Sequence, residues 1–195
     1  MKRAGAGLAA VVAALVLTAC SVSDKPATDD FNPLDPATGS ASGSSGPPAV
    51  PDLQLRPVTG VHNATTGECS PNPPQTPPPR QAATLCSADL TYVLDLDPAV
   101  VDAEEVTSID AGTLHGGPTV RIFLDVNGAT ALSNATLRMS TESSPRNWLA
   151  VVSQGRVQSA PVVTDQLDGG IVDLTGFADT DAARAAALLL GNGAG

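Results

Sequence analysis

The sequence predicts an α+β domain, a largely antiparallel sheet with two main helices packed on one face. Three observations carry this. Residues 119–126 alternate, with Val120, Ile122, Leu124 and Val126 on one face and Thr119, Arg121, Phe123 and Asp125 on the other. Residues 148–175 contain an apolar run, a Gln154-Gly155 turn, a second extended run and, past Gly169-Gly170, a third. Helical spacing follows each group of strands, once after Asn127 and once after Asp179.

The elements follow in chain order. Leu53 and Leu55 alternate with polar residues, as on a half-buried strand, and Pro57 favours an edge position for it. A proline-rich loop comes next. Residues 91–96 form a second strand, stopped by Asp97-Pro98. Asp102 caps a short helical turn reaching Val106, before an irregular glycine-rich stretch at 112–118. Residues 119–126 are the clearest strand, and Asn127 caps a helix reaching Met139, with Ala129, Leu132, Thr136 and Met139 on its apolar side.

Residues 143–147 are a loop containing Pro145. The run from Trp148 to Val152 is apolar on both faces, as a central strand is, and Trp148 reads as core, with surface recognition as the alternative. Gly155 supplies the positive φ of a hairpin turn, and residues 156–163 return antiparallel until Pro161 ends the ladder. Residues 171–175 are the last strand. Asp179 or Thr180 caps the final helix, whose inner face is Ala182, Ala186, Leu189 and Leu190, and Gly191 supplies its C′ position.

Four regions divide the 195 residues. Residues 1–19 read as an export signal: Lys2 and Arg3 precede an apolar stretch too short to span a bilayer of about 30 Å. It ends in Leu17-Thr18-Ala19-Cys20, which resembles the lipobox of bacterial lipoproteins. That resemblance implies a lipid on Cys20 and a chain tethered to the outer face of the cytoplasmic membrane. Residues 20–52 are expected to be a disordered Ser/Gly/Pro linker with a reach on the order of 30 Å. Residues 53–191 form the folded domain, and 192–195 a flexible tail.

Net charge is −10 before the two leader cations are removed. An acidic body without basic clusters argues against nucleic acid as a partner, because that binding relies on Lys and Arg neutralising phosphates. It argues equally against an electrostatic membrane patch, leaving the lipid as the hold. With Cys20 acylated, Cys69 and Cys86 remain, and in an exported chain such a pair is expected as a disulfide. Closing the loop between them stabilises by about 3 kcal/mol.

The order of motifs from Trp148 onward resembles a known family. The apolar run to Val152, the Gln154-Gly155 turn, the Ser159-Ala160-Pro161 strand, Gly169-Gly170, the Gly176-Phe177 pair and an Ala/Leu-rich helix follow one another. Upstream, Leu55-Arg56-Pro57-Val58, the stretch from Tyr92 to Pro98 and that from Val120 to Gly128 fit the same pattern. It resembles the head of the first extracytoplasmic domain of SecD, a membrane subunit of the bacterial protein-export machinery. Gln154 stands where that family has a turn Asp, and Asp95-Leu96-Asp97-Pro98 replaces its Leu-Gly-Pro. SecD also carries several membrane helices that the resemblance implies couple proton flow to pulling. No counterpart is read here, so what is implied is the head's fold and its contact with polypeptide, without the motor.

No residue pattern makes a case for an enzyme. His62 and His115 lie in loops without Cys, Asp or Glu at ligand spacing, so no metal is expected. Asp95, Asp97, Glu104 and Glu105 read as solvated acids at element ends. Gly43-Ser44-Ser45-Gly46 lacks the strand–turn–helix setting of a nucleophile elbow. No cofactor is implied. The expected function is non-catalytic protein binding that assists or modulates export, with translocon subunits or exported polypeptides as partners. An envelope structural or ligand-carrying lipoprotein reusing the fold is the alternative. A sheet edge near Pro57 or Pro161 is the expected binding feature, unless the prolines and Arg156 block it.

Overall fold

A computed structural model describes residues 30–34 and 52–191. Cys20, the leader and the tail lie outside the described residues. In chain order the elements are β1 (Asn32–Pro33), β2 (Gln54–Asn63), β3 (Ala83–Cys86), β4 (Tyr92–Leu96), a 3-10 turn (Ala103–Glu105), β5 (Val106–Leu114), β6 (Gly117–Leu124), α1 (Val126–Met139), β7 (Leu149–Ser153), β8 (Arg156–Ser159), β9 (Ile171–Thr175) and α2 (Thr180–Gly191).

Strand pairing is antiparallel, as expected, but it is divided between two sheets rather than one. One runs β3-β4-β2-β7-β8 and the other β1-β5-β6-β9. The long β2 organises the first. Its N-terminal part pairs with β7 and its C-terminal part with β4, with a register shift between Val58 and Gly60. Pro57 sits at that changeover and not at an edge, which corrects the sequence expectation. Its missing N–H costs nothing on the β4 side, where the ladder is only beginning, and its carbonyl accepts from Asp97 N at 3.0 Å.

The first sheet curls until its outer strands touch. Ser87 bridges Val157, and Ala88 N–H donates to Val157 O at 2.9 Å. Inside the curl lie Val58, Leu85, Leu94, Leu96, Ala150, Val152 and Val157, with Trp148 packed against them. Pro161 does not free an edge either. It follows β8 and accepts from Leu149 N at 2.9 Å, while Val163 N–H reaches Asn147 O at 2.7 Å.

The larger core joins the two sheets and both helices. Leu55, Leu149 and Val151 from the first sheet meet Val120, Ile122, Val172 and Leu174 from the second. Leu132, Ala135 and Met139 of α1 and Ala183 and Leu190 of α2 complete it. The α1 cap is Asp125, whose Oδ1 accepts from Gly128 N at 2.8 Å, two residues before the expected Asn127. Placing the cap there starts the helix directly from β6. On α2, Asp179 Oδ1 accepts from Ala182 N at 2.8 Å. Gly191 belongs to the helix itself rather than to a C′ turn.

Two local devices shape the rest. The β7–β8 hairpin turns on Gln154 and Gly155, at φ 53° and 66°, the positive values a two-residue turn of matching twist demands. A Cβ on Gly155 would fall 1.8 Å from Pro74 O, so the tip sits against the proline-rich loop. Among the described residues, β9 has β6 as its only strand neighbour.

Candidate functional site

Two buried arginines organise the surfaces of this domain, and they do different work. Arg56 in β2 has no exposed surface. Its Nη1 donates to Gln81 O at 2.7 Å and Asp97 O at 3.1 Å, its Nη2 to Pro78 O at 2.8 Å, and its Nε to Gln54 Oε1 at 2.7 Å. Consecutive prolines bring carbonyls but no N–H groups, so this loop has surplus acceptors. A guanidinium brings five N–H donors and no acceptor, which makes it the natural complement. Burial draws the Arg56 pKa below its ordinary value, though an arginine stays charged at neutral pH.

Arg156 repeats the arrangement at the loop's other end, with Nη2 donating to Ser70 O at 2.6 Å and Pro71 O at 3.0 Å. Cys69 and Cys86 are bonded to each other, joining the start of this loop to the end of β3. Asp52 accepts from Gln154 N at 3.1 Å and from the Thr76 hydroxyl, which itself accepts from Gly155 N at 2.7 Å. The whole loop is thereby fastened over the hairpin tip. Arg56, Arg156 and the cysteines are structural.

Arg121 lies on the face of β6 opposite the large core. Its Nε and Nη2 meet Asp173 Oδ1 and Oδ2 at 2.7 and 2.9 Å, a bidentate pair between neighbouring strands. Its Cζ stands 4.2 Å from the centre of the Phe31 ring. Phe31 belongs to the segment expected to be part of a disordered linker. Instead Asn32 and Pro33 pair with Thr113 and Gly112 of β5, and Leu34 N–H donates to Ala111 O at 2.9 Å. One aromatic contact and a glycine to receive it order a segment whose average composition argues for disorder. At the segment's start, Asp30 Oδ2 lies 3.7 Å from His115 Nδ1.

This edge of the second sheet is the one place where the described structure already holds an extended segment by main-chain pairing and a side-chain seat. It was not the edge expected near Pro57 or Pro161. Nor was β5 expected as a strand, because Val106–Leu114 is rich in Thr, Ser, Asp and Gly and hides its alternation. The traceable signals are lone charges inside apolar strands, Arg121 in β6 and Asp173 in β9.

The other candidates resolve into local structure. His62 Nε2 contacts Glu68 Oε1 at 2.9 Å, and the Thr65 N–H also binds the Glu68 carboxylate at 2.8 Å. Asp102 and Glu105 form a reciprocal capping box on the 3-10 turn, with Glu104 N donating to Asp102 Oδ1 at 2.9 Å. Asp95 accepts from Thr84 Oγ1 at 2.7 Å across the β3–β4 pair, and Asp97 serves Arg56 through its carbonyl. Among the described residues, no group of three or more His, Cys, Asp and Glu side chains could hold a metal ion.

The family model of the SecDF P1 head subdomain matches residues 83–194. The chain belongs to that family. As a SecDF P1 head, it is matched from β3 through α2, so β1 and β2 precede the matched part. A relative is the protein translocase subunit SecD of Streptomyces coelicolor, 30% identical over 102 residues, which make up 51% of this chain and 18% of that SecD. The P1 head chain thus aligns with less than a fifth of that relative's length. A crystal structure of SecDF in a super-membrane-facing form is similar at 20% identity and a TM-score of 0.49, over 75% of this chain and 19% of that one. A second structure, of SecDF as a membrane component that enhances protein export, gives 20% identity and a TM-score of 0.46, over 75% and 64%. Among the described residues of this P1 head, no helix is long and apolar enough to cross a membrane.

Proposed function

We propose that this chain is a lipid-anchored, non-catalytic P1 head that binds polypeptide at the outer face of the cytoplasmic membrane and assists protein export. Family membership supports the link to export, since SecDF is a membrane component that enhances it. The leader and Cys20 support the anchor. The acidic body disfavours nucleic acid and leaves protein as the partner class.

One observation carries the binding part: the outer edge of β5 holds an extended segment by strand addition. Two experiments test the reading. Labelling cells with a palmitate analogue should tag the wild-type chain and not a Cys20→Ala variant. General crosslinking in intact cells, followed by isolation of this chain, should recover translocon subunits or secreted proteins in transit. Recovery of neither class would sink the export role, and acyl labelling of the Cys20→Ala variant would sink the anchor.

A further inference from the structure

We propose that the outer edge of β5 is an acceptor for an extended polypeptide bearing an aromatic residue, and that residues 31–34 of the same chain occupy it in cis as a displaceable plug. The proposal rests on the polypeptide-binding reading above and names the chemistry and the regulation of its site.

Gly112 is the first reason. It lies inside a strand, away from any turn, where glycine costs stability and gives no side chain to pack. A Cβ there would fall 2.4 Å from Phe31 Cζ, 2.5 Å from Phe31 Cε2 and 2.7 Å from Asn32 O. Glycine at 112 therefore makes a seat the depth of a ring edge beside the strand. Arg121 is the second reason. Its guanidinium covers that seat while both Asp173 oxygens hold it, so the ring receives a cation whose position does not depend on the ring. With the charge already paired, the seat selects for an aromatic face and makes little demand on the guest's charge.

The plug itself is slight. β1 is two residues long, both exposed, and Pro33 has no N–H to donate. It pairs with Thr113 and Gly112 of a nine-residue strand, and the Leu34 bond to Ala111 extends the contact by one step. A plug of this size persists because it is covalently attached, which gives it an effective concentration on the order of millimolar. A longer guest strand with an aromatic residue over Gly112 would pair with more of β5 and displace it.

The probe is a fluorescent nonapeptide with the sequence of residues 28–36, added to the full chain in detergent. Wild type, its own site plugged, should bind weakly. Phe31→Ala should bind roughly ten-fold tighter or better, because its plug no longer competes. Adding Gly112→Val to Phe31→Ala should remove that gain, and so should replacing the peptide's Phe by Ala. No gain in Phe31→Ala, or a gain that survives either change, overturns the proposal. Should the Gly112→Val chain fail to fold, amide exchange of Leu34 in wild type decides. Saturating peptide should accelerate it, and unchanged protection would count against displacement. A wild-type dimer dissociated by the peptide would place the segment in a second copy and overturn the cis plug. Peptide binding without export partners in cells would leave the acceptor standing and remove the export reading. Export partners without peptide binding would do the reverse.

Discussion

Arg121 and Asp173 face each other across the β6–β9 pair with two parallel N–H···O bonds, and both side chains are largely buried. A buried pair is costly to break on one side only, because the remaining charge loses its bidentate, charge-assisted partner. Asp173→Asn should therefore destabilise by about 3 kcal/mol in denaturant titration. An Arg121→Met/Asp173→Asn double variant should lose less than the sum of the two single losses. Additive losses would mean that the two residues do not act as a unit.

Arg56 should be the most sensitive polar position in the domain. Arg56→Leu leaves the carbonyls of Pro78, Gln81 and Asp97 without their shared donor, and hydrogen bonds to a charged group are each worth about 1.5–3 kcal/mol. The expected loss is about 3–5 kcal/mol, measured by chemical unfolding. Arg56→Lys should recover part of it, since an ammonium brings charge and three donors but not the planar fork.

Glu68 titrates far below an ordinary glutamate. The Thr65 backbone N–H, the His62 ring and the Thr65 hydroxyl all bind its carboxylate and hold its pKa at about 2. A depressed carboxylate stabilises the fold fully above the unfolded value of about 4.3 and loses that contribution as pH falls toward 2. Carbon NMR of the Glu68 carboxyl should show a midpoint near 2, and Thr65→Pro, which removes both the backbone and the hydroxyl donor, should raise it. A wild-type midpoint near 4 would contradict the hydrogen-bond geometry.

The Cys69–Cys86 bond closes a loop that cannot build a core of its own. A double Cys→Ser variant should lose about 3 kcal/mol, read as a lower unfolding midpoint with the fold otherwise kept. Because Arg56 and Arg156 grip the same loop, adding Arg56→Leu to that variant should give non-additive losses.

Elements with a strong local signal were legible in the sequence. The alternation around Val120 and Ile122, the Asp102-capped turn, the Gln154-Gly155 hairpin and the two helices stand where their residues imply, except that α1 is capped by Asp125 and takes Val126, expected on the inner face of the strand, as its exposed first residue. What escaped depends on contacts distant in sequence. Val106–Leu114 becomes a strand because β6 pairs along it through a His115-Gly116 turn with φ values of 51° and 79°. Pro57 is tolerated in a central strand only because β4 leaves β2 at that residue. The five-stranded sheet depends on β2 taking different partners along its length, which no local pattern encodes. The candidate site was hidden for the same reason. Phe31 and Gly112 are 81 positions apart, and neither is informative without the other. Arg56 was visible only as part of a family motif, while its role depends on carbonyls more than twenty residues away.

We propose that this P1 head receives extended polypeptide along β5. A photo-crosslinking amino acid in place of Thr113, illuminated in living cells, tests it most directly, with exposed Leu188 on α2 as the comparison position. Adducts with polypeptides in export are expected from position 113, increased by Phe31→Ala, and few from position 188. Equal adducts from the two positions, or none from 113 even in the Phe31→Ala background, would contradict it.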